Sequence, residues 1–296
     1  MNPQPSTINH KPSTFTHQPS TVFEDYARYY DLLYRDKDYA AEAEYVAGLI
    51  RKFHPEAKSI LELGSGTGIH AALLAEKGFT VHGVERSEEM ITIARSNAEA
   101  SSKLSTINHK PSTINPQPST IINKPSTLNL QPVFTKGDIR QIRLGRRFDT
   151  VIALFHVISY QTTNDDVLAA FKTAREHLNP GGVFIFDVWY GPAVLTERPA
   201  IRIKRMADDQ TEITRLAEPV LHPNENRVDV NYHVFVRDLE SGVVNELRET
   251  HVMRYFFKTE IELFAVQNGF RLLNAEEWLS GKAPGEDTWG VCFVMK

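Results

Sequence analysis

Glu62-Leu-Gly-Ser-Gly-Thr-Gly68 separates the apolar run Ser59-Ile-Leu-Glu-Leu63 from a helical pattern that opens with Ala71, Ala72, Leu74 and Ala75 and ends at Gly78. A buried strand, a tight glycine turn and a helix in that order let a ligand approach the backbone and point helix N–H groups at it. Nicotinamide and flavin enzymes place glycine first, third and sixth in this turn. Here the sixth position is Ile69, and Gly68, the fifth, is glycine instead. The spacing therefore disfavours an oxidoreductase that would otherwise share the fold.

Working outward, strand and helix alternate. Tyr39, Tyr45, Val46, Leu49, Ile50 and Phe53 share one face at helical spacing before the turn. After it, Phe79-Thr-Val-His-Gly-Val-Glu85 reads as a second strand. Ser87 caps a helix reaching about Ala100, with Glu88 and Glu89 placed for its dipole. Val133-Phe-Thr135, Phe148–Phe155 and Val183–Asp187 are further strands, with a helix from Asp165–Asp166 to the Asn179-Pro-Gly-Gly182 stop between the last two. This alternation predicts an α/β fold, a doubly wound parallel sheet with helices on both faces. Past Pro192 the pattern changes to successive strands at Ile201–Met206, Thr211–Pro219, Arg227–Arg237 and Val243–Phe257. Arg227-Val-Asp-Val-Asn-Tyr-His-Val alternates as an antiparallel sheet with one covered face does. A helix at Glu260–Gln267 and strands near Phe270–Glu277 and Thr288–Met295 close the chain.

Two stretches stand apart. Pro-Ser-Thr recurs every seven residues at Pro5, Pro12 and Pro19, and again at Pro111, Pro118 and Pro125. Proline in every heptad forbids a continuous helix, and one apolar residue per unit cannot offset the ordering entropy. Residues 1–21 and 103–132 are therefore expected to be a disordered repeat tail and a disordered repeat insert. They contain four lysines and no acid, so the rest of the chain carries −8 where the whole carries −4. That balance lacks the basic footprint of a nucleic-acid binder. No apolar run is long enough to span a bilayer, and the N-terminus has no signal pattern. The single cysteine, Cys292, excludes a disulfide framework and a cysteine zinc site, so no metal is expected and the cytoplasm is the default compartment.

The chemistry-bearing residues fall at the carboxyl ends of successive strands, where open α/β sheets bind ligands. Beside the turn stand Glu85, able to accept from two ribose hydroxyls, and Asp138, able to accept from an adenine amine with Ile139 against the ring. Leu154-Phe-His156 ends the fourth strand.

Glu62-Leu-Gly-Ser-Gly-Thr-Gly68, Val84-Glu85, Gly137-Asp138 and Asn179-Pro-Gly-Gly182 together resemble the motif series of class I, Rossmann-like S-adenosylmethionine methyltransferases. The resemblance spans essentially the whole chain outside the repeats. It implies a seven-stranded sheet completed by an antiparallel closing strand, with an antiparallel β insertion after the fifth strand. The methyltransferase domain would then be residues 22–296, with 193–257 as an antiparallel cap. It implies that Glu62, Gly64, Ser65, Gly66 and Gly68 cradle the methionine and ribose, and that Glu85, Arg86 and Met90 flank the ribose. Asp138, Ile139 and Leu154 would enclose the adenine end. Gly137–Asp149 and Tyr30-Asp-Leu-Leu-Tyr34 further resemble nucleotide-aminosugar N,N-dimethyltransferases, which places Tyr30 and Tyr39 near the methionine carboxylate. In that group the fifth strand ends Glu-Pro-Trp-Trp, whereas this chain has Asp187-Val-Trp-Tyr190, which keeps Trp189 and Tyr190 as candidates to line an acceptor pocket.

The resemblance thus implies methyl transfer from S-adenosylmethionine to a small-molecule acceptor, at nitrogen, with His156 and Tyr160 as candidate bases. Small-molecule O-methylation and a non-catalytic S-adenosylmethionine-binding role are the alternatives, and a homodimer is open to it. A nucleic-acid methyltransferase would carry Asn-Pro-Pro-aromatic after the fourth strand, where this chain has Phe155-His-Val-Ile.

Replacing residues 103–132 by a short linker should leave thermal stability and donor affinity nearly unchanged, because each doubling of loop length adds only about 0.6 kcal/mol of closure entropy. A large drop in melting temperature would show that the insert packs on the body.

Overall fold

The computed structural model describes residues 27–107 and 130–296. The chain runs α1 (Ala27–Leu33), α2 (Tyr39–Phe53), β1 (Ser59–Leu63), α3 (Ile69–Glu76), β2 (Thr80–Glu85), α4 (Glu88–Ile107), β3 (Val133–Lys136), β4 (Phe148–Ala153) and α5 (Asn164–Glu176). It continues with β5 (Leu178–Tyr190), α6 (Gly191–Thr196), β6 (Arg202–Ala207), β7 (Thr211–His222), β8 (Arg227–Asp238), β9 (Val244–Phe256), α7 (Lys258–Gln267), β10 (Leu272–Glu277) and β11 (Gly290–Met295).

Seven strands form the body sheet in the order β3-β2-β1-β4-β5-β11-β10. β11 runs antiparallel to both its neighbours, and the other pairings are parallel. This is the expected seven-stranded Rossmann-like arrangement. Successive residues of a strand point to opposite faces, and both faces are buried: Phe184 and Phe186 enter a cluster with Phe148, Phe171 and Phe293. Val183 and Ile185 enter the other, with Val46 and Ile50 of α2 and Leu74 of α3. Strands buried on both sides read as continuous apolar runs, which is why β4 and β5 are conspicuous in the sequence.

The antiparallel insertion is four strands, β6 to β9, each paired with the next. It grows from the tip of β5, where Trp189 and Tyr190 pair with Tyr255 and Phe256 of β9. The helix α1, whose seven residues give no periodic signal, joins the cap to the body. Leu32 and Leu33 are buried against Ile213, Val234 and Val236 of the cap. On its other side, Asp31 accepts from the Thr67 hydroxyl of the glycine turn at 2.7 Å.

Several boundaries differ from expectation. α4 continues to Ile107, beyond Ala100, because the first proline after it is Pro111 and nothing before that breaks the helix. Leu130 packs against the core, so the insert is shorter at both ends than 103–132. The rest of it, residues 108–129, and the tail 1–21 lie outside the described residues. Residues 191–196 are helical, with Pro192 in the first turn, where its missing N–H is not needed. The cap region expected from residue 193 thus opens with a helix, and its first strand begins at Arg202, one residue from the expected Ile201. Asn179-Pro-Gly-Gly182 belongs to an irregular start of β5, with a register shift against β4 and Gly181 at φ +84°.

The glycine turn is sterically committed. A Cβ on Gly64, at φ +73°, would lie 2.6 Å from a Val157 methyl, and one on Gly68, at φ +74°, would lie 2.7 Å from Phe134 Cζ and 2.9 Å from Ala94 Cβ. Gly68→Ala should therefore lower stability by about 1–3 kcal/mol from overpacking, with left-handed strain of about 1–2 kcal/mol added. Urea unfolding checks this: an unchanged midpoint would mean that Phe134 and α4 yield freely.

Candidate active site

The turn holds its shape by backbone bonds. Gly64 and Ser65 amides both donate to the Val84 carbonyl, at 2.8 and 3.1 Å, and Gly68 donates to Ser65 at 2.9 Å. Across it, Glu85 is oriented by three amides: Gly66 at 3.0 Å on one oxygen, Arg86 at 2.7 Å and Ser87 at 2.9 Å on the other. A carboxylate offers about four acceptor sites, so Glu85 keeps capacity for a ligand while its direction is fixed.

A cavity of about 860 Å³ opens beside the turn, within the range of a ligand site. Tyr30, Gly64, Gly66, Glu85, Arg86, Met90, Asp138, Ile139 and Tyr160 all border it, so the structure brings these sequence candidates together. Others border it that were not named as site candidates, among them Tyr34, Arg140, Phe155, Gln161 and Val252. Val252 belongs to β9, so the body and the cap share one space.

The remaining candidates lie around this cavity rather than on it. Leu154 is 2% exposed and packs in the core, and Gly68 caps α3. Tyr39 borders a second hollow of about 420 Å³ and stacks edge-on against His70. Ser65 Oγ and Glu62 Oε2 are buried beneath the turn without a hydrogen-bond partner. Burial, and the nearby Glu85 charge, push the Glu62 carboxyl up to about 8, against the opposing pull of Lys37. Lys37 is itself lowered by burial, lies 2.7 Å from Glu42, and sits 3.6 Å from the centre of the Phe155 ring. An isolated lysine in the Arg-Asp-Lys-Asp loop carries no sequence signal, and only the folded loop brings it against this ring.

Farther along the cavity border, Arg140 grips Asp138 through Nε at 2.9 Å and Nη2 at 2.5 Å, and reaches Asp166 at 2.7 Å. The Arg140 hydrogen bonds hold the Asp138 carboxyl below its usual range. Arg140 follows the expected Asp138-Ile139 pair directly, but a two-residue ion pair has no periodicity to reveal it.

The two candidate bases are separated. Phe155 and His156 are both left-handed, at φ 63°, a conformation that costs energy and persists only where neighbours enforce it. Asp187 on β5 enforces it, accepting from the His156 amide at 3.1 Å and lying 2.6 Å from Nδ1. His156 is thus occupied with a buried carboxylate and sits 6.2 Å from the Trp189 ring. Trp189 and Tyr190 pair with the cap, and Trp189 packs edge-on to Trp289. Tyr160, in contrast, borders the cavity, and its hydroxyl meets His251 Nδ1 at 2.8 Å. Among the described residues no group of three His, Cys, Asp or Glu is placed to hold a metal, and no helix is long and apolar enough to cross a membrane.

Comparison with known proteins agrees with this geometry. A curated Streptomyces venezuelae protein, dTDP-3-amino-3,4,6-trideoxy-alpha-D-glucopyranose N,N-dimethyltransferase, is 30% identical over 88% of this chain and 94% of its own. The crystal structure of Streptomyces venezuelae DesVI is 28% identical, with a TM-score of 0.69 over 92% of this chain and 98% of that one. A Clostridium acetobutylicum S-adenosylmethionine-dependent methyltransferase, 22% identical, shares the fold with a TM-score of 0.72 over 92% and 97% of the two chains. The family model described as "Methyltransferase domain" matches residues 33–273, and this chain belongs to that family of S-adenosylmethionine-dependent methyltransferases.

Proposed function

We propose that this chain methylates the nitrogen of a nucleotide-linked amino sugar, with the donor along the glycine turn and the acceptor under the cap. The observation that carries this is the single cavity bordered at one end by Glu85 and Asp138 and at the other by Tyr160 and the cap residue Val252. S-adenosylmethionine, when bound, supplies an electrophilic methyl on sulfonium. The residues present fit it: Glu62 has an orphaned buried oxygen suited to an ammonium group, Glu85 is aimed by amides, and Ile139 borders the opposite wall. Tyr30 and Tyr34, presented by α1 and the turn after it, and Phe155 form an aromatic wall, with ring centres 4.7 to 6.4 Å apart. Such a wall excludes water, and fixed placement of two reactants contributes roughly 7–11 kcal/mol. Of the two candidate bases, Tyr160 borders the cavity, while His156 supports the loop through Asp187. The acceptors of the relatives' printed names are amino sugars carried on dTDP, which supports an amine acceptor here.

Two measurements test this. The Glu62 carboxyl, raised from 4.5 to about 8, holds its proton in the folded protein at neutral pH. Ionising it costs stability as pH rises through that window, because the folded state then binds more protons than the unfolded state. A cation beside Glu62 favours the ionised form, so S-adenosylmethionine should bind more tightly as pH climbs from 6 toward about 8 and should release a proton. Calorimetry in buffers of different ionisation enthalpy reads that proton, and Glu62→Gln should abolish its release. Equal release from the variant would remove Glu62 from the donor site.

The acceptor is tested by a panel of dTDP-linked amino sugars, simple amines, hydroxyl compounds and RNA, read by S-adenosylhomocysteine formation and product mass. Methylated amine is expected, with His156→Ala slowing single turnover only about tenfold, below the roughly 10²–10⁴-fold that lost base assistance costs. Methylation confined to hydroxyl compounds or RNA would overturn the assignment.

A further inference from the structure

The cap contains a buried ionisable pair that donor binding does not use. Glu249 and His251 are two residues apart on β9, so the strand period places both on one face. They are 6% and 3% exposed. His251 Nε2 lies 3.1 Å from Glu249 Oε2, and its Nδ1 lies 2.8 Å from the Tyr160 hydroxyl. Tyr160 comes from the turn Val157–Tyr160 after β4 and borders the cavity. Burying a carboxylate and an imidazole is costly unless each is paired, and here the pairing forms a chain that ends at the cavity wall.

We propose that Tyr160, His251 and Glu249 form a proton relay that draws the acceptor's proton out of the cavity into the cap. The proposal rests on an amine acceptor, which near neutral pH arrives largely as ammonium and has no lone pair to attack with. In the relay its N–H bond breaks and an O–H bond forms on Tyr160. The original Tyr160 proton moves to His251 Nδ1. Neutral His251, with its Nε2–H donated to Glu249, becomes imidazolium beside the carboxylate. The acceptor loses one positive charge and His251 gains it, and the nitrogen lone pair is freed for the methyl carbon. The proton returns to water through Tyr160 once product has left the cavity. Tyr160 is the contact to the acceptor, and His251 and Glu249 are positioning residues that act through it.

Other groups facing His251 fit this assignment. The Tyr232 ring of β8 stands edge-on at 4.7 Å, and the Arg215 guanidinium of β7 lies 4.9 Å from the centre of that ring. Arg215 also donates to the Tyr34 hydroxyl at 3.1 Å, which ties it to the turn after α1. Glu249 is thus the carboxylate in contact with His251 among the described residues.

The relay fixes a tautomer, so the first test needs no acceptor. Nitrogen-15 NMR of the histidine-labelled wild-type protein should show neutral His251 protonated at Nε2. Protonation at Nδ1 would overturn the relay. Kinetics with the amine acceptor found in the panel form the second test. Tyr160→Phe and His251→Asn should each lower kcat by roughly 10²-fold or more, the usual range for acid–base assistance. The double variant should be no slower than either, because residues acting as one unit are not additive. Glu249→Gln should lower kcat and move the acid limb to lower pH, since a less supported imidazole is a weaker base, and Glu249→Asp should restore part of the loss. S-adenosylmethionine affinity should stay within about twofold throughout, as expected of groups that touch no donor. Additive losses with an unmoved acid limb would overturn the relay while leaving Tyr160 as an acceptor contact. Unchanged turnover in Tyr160→Phe would overturn the relay but leave amine methylation standing. If no amine is methylated, the assigned function fails, and the tautomer still decides the relay.

Discussion

The constraint on which the rest of the molecule depends is the absence of side-chain atoms at Gly64 and Gly68. Their backbones approach Val157, Phe134 and Ala94 more closely than any Cβ would allow. Those neighbours belong to the turn after β4, to β3 and to α4. The glycine turn is therefore the point at which the first four strands and two helices register against one another. Its amides, fixed by the Val84 carbonyl and the Glu85 carboxylate, are oriented before any ligand arrives. Preorganised donors of this kind need no rearrangement at the moment of binding.

From that point the structure places charge in layers. Glu62 lies buried under the turn, Glu85 beside it, Asp138 beyond, and Asp187 behind the loop after β4. Each has its own means of being tolerated: protonation for Glu62, amides for Glu85, Arg140 for Asp138, and the His156 amide and ring for Asp187. Glu62 and Asp187 are buried and Glu85 and Asp138 half-buried, and carboxylates in such surroundings are costly unless each is neutralised or hydrogen-bonded. Their separate solutions leave Glu62 with an oxygen that the protein itself does not satisfy.

The cap has a second dependence, on α1. This short helix is held to the turn through Asp31 and Thr67, and to the cap through Leu32 and Leu33, with the Lys204–Asp36 ion pair at 2.6 Å joining the turn after it to the cap. The tyrosines it helps present, Tyr30 and Tyr34, meet Phe155 at the cavity. Among the described residues the strand pairing between body and cap is the two-residue join at Trp189 and Tyr190. The contacts of α1 and of Tyr160 with His251 therefore help to set where the cap sits.

The sequence by itself determined the body sheet, the glycine turn and the antiparallel insertion, and it named nine of the residues that border the cavity. It could do so because strands buried on both faces, a glycine-rich turn and a period-two alternation are local patterns. The end of α4 and the narrower insert were misjudged because the repeat begins in sequence before its first proline can act on the helix. Tertiary structure alone decided the rest. Lys37, Arg140, Asp187 and the pair Glu249–His251 are ordinary residues in a loop, a turn and two strands, without any spacing that marks them. They acquire meaning only when distant chain segments are packed together: Lys37 against the Phe155 ring, and Tyr160 against His251 across a separation of 91. The sequence offered His156 and Tyr160 on equal terms. The fold distinguished them, because a left-handed backbone turned one toward a buried carboxylate and left the other at the cavity wall.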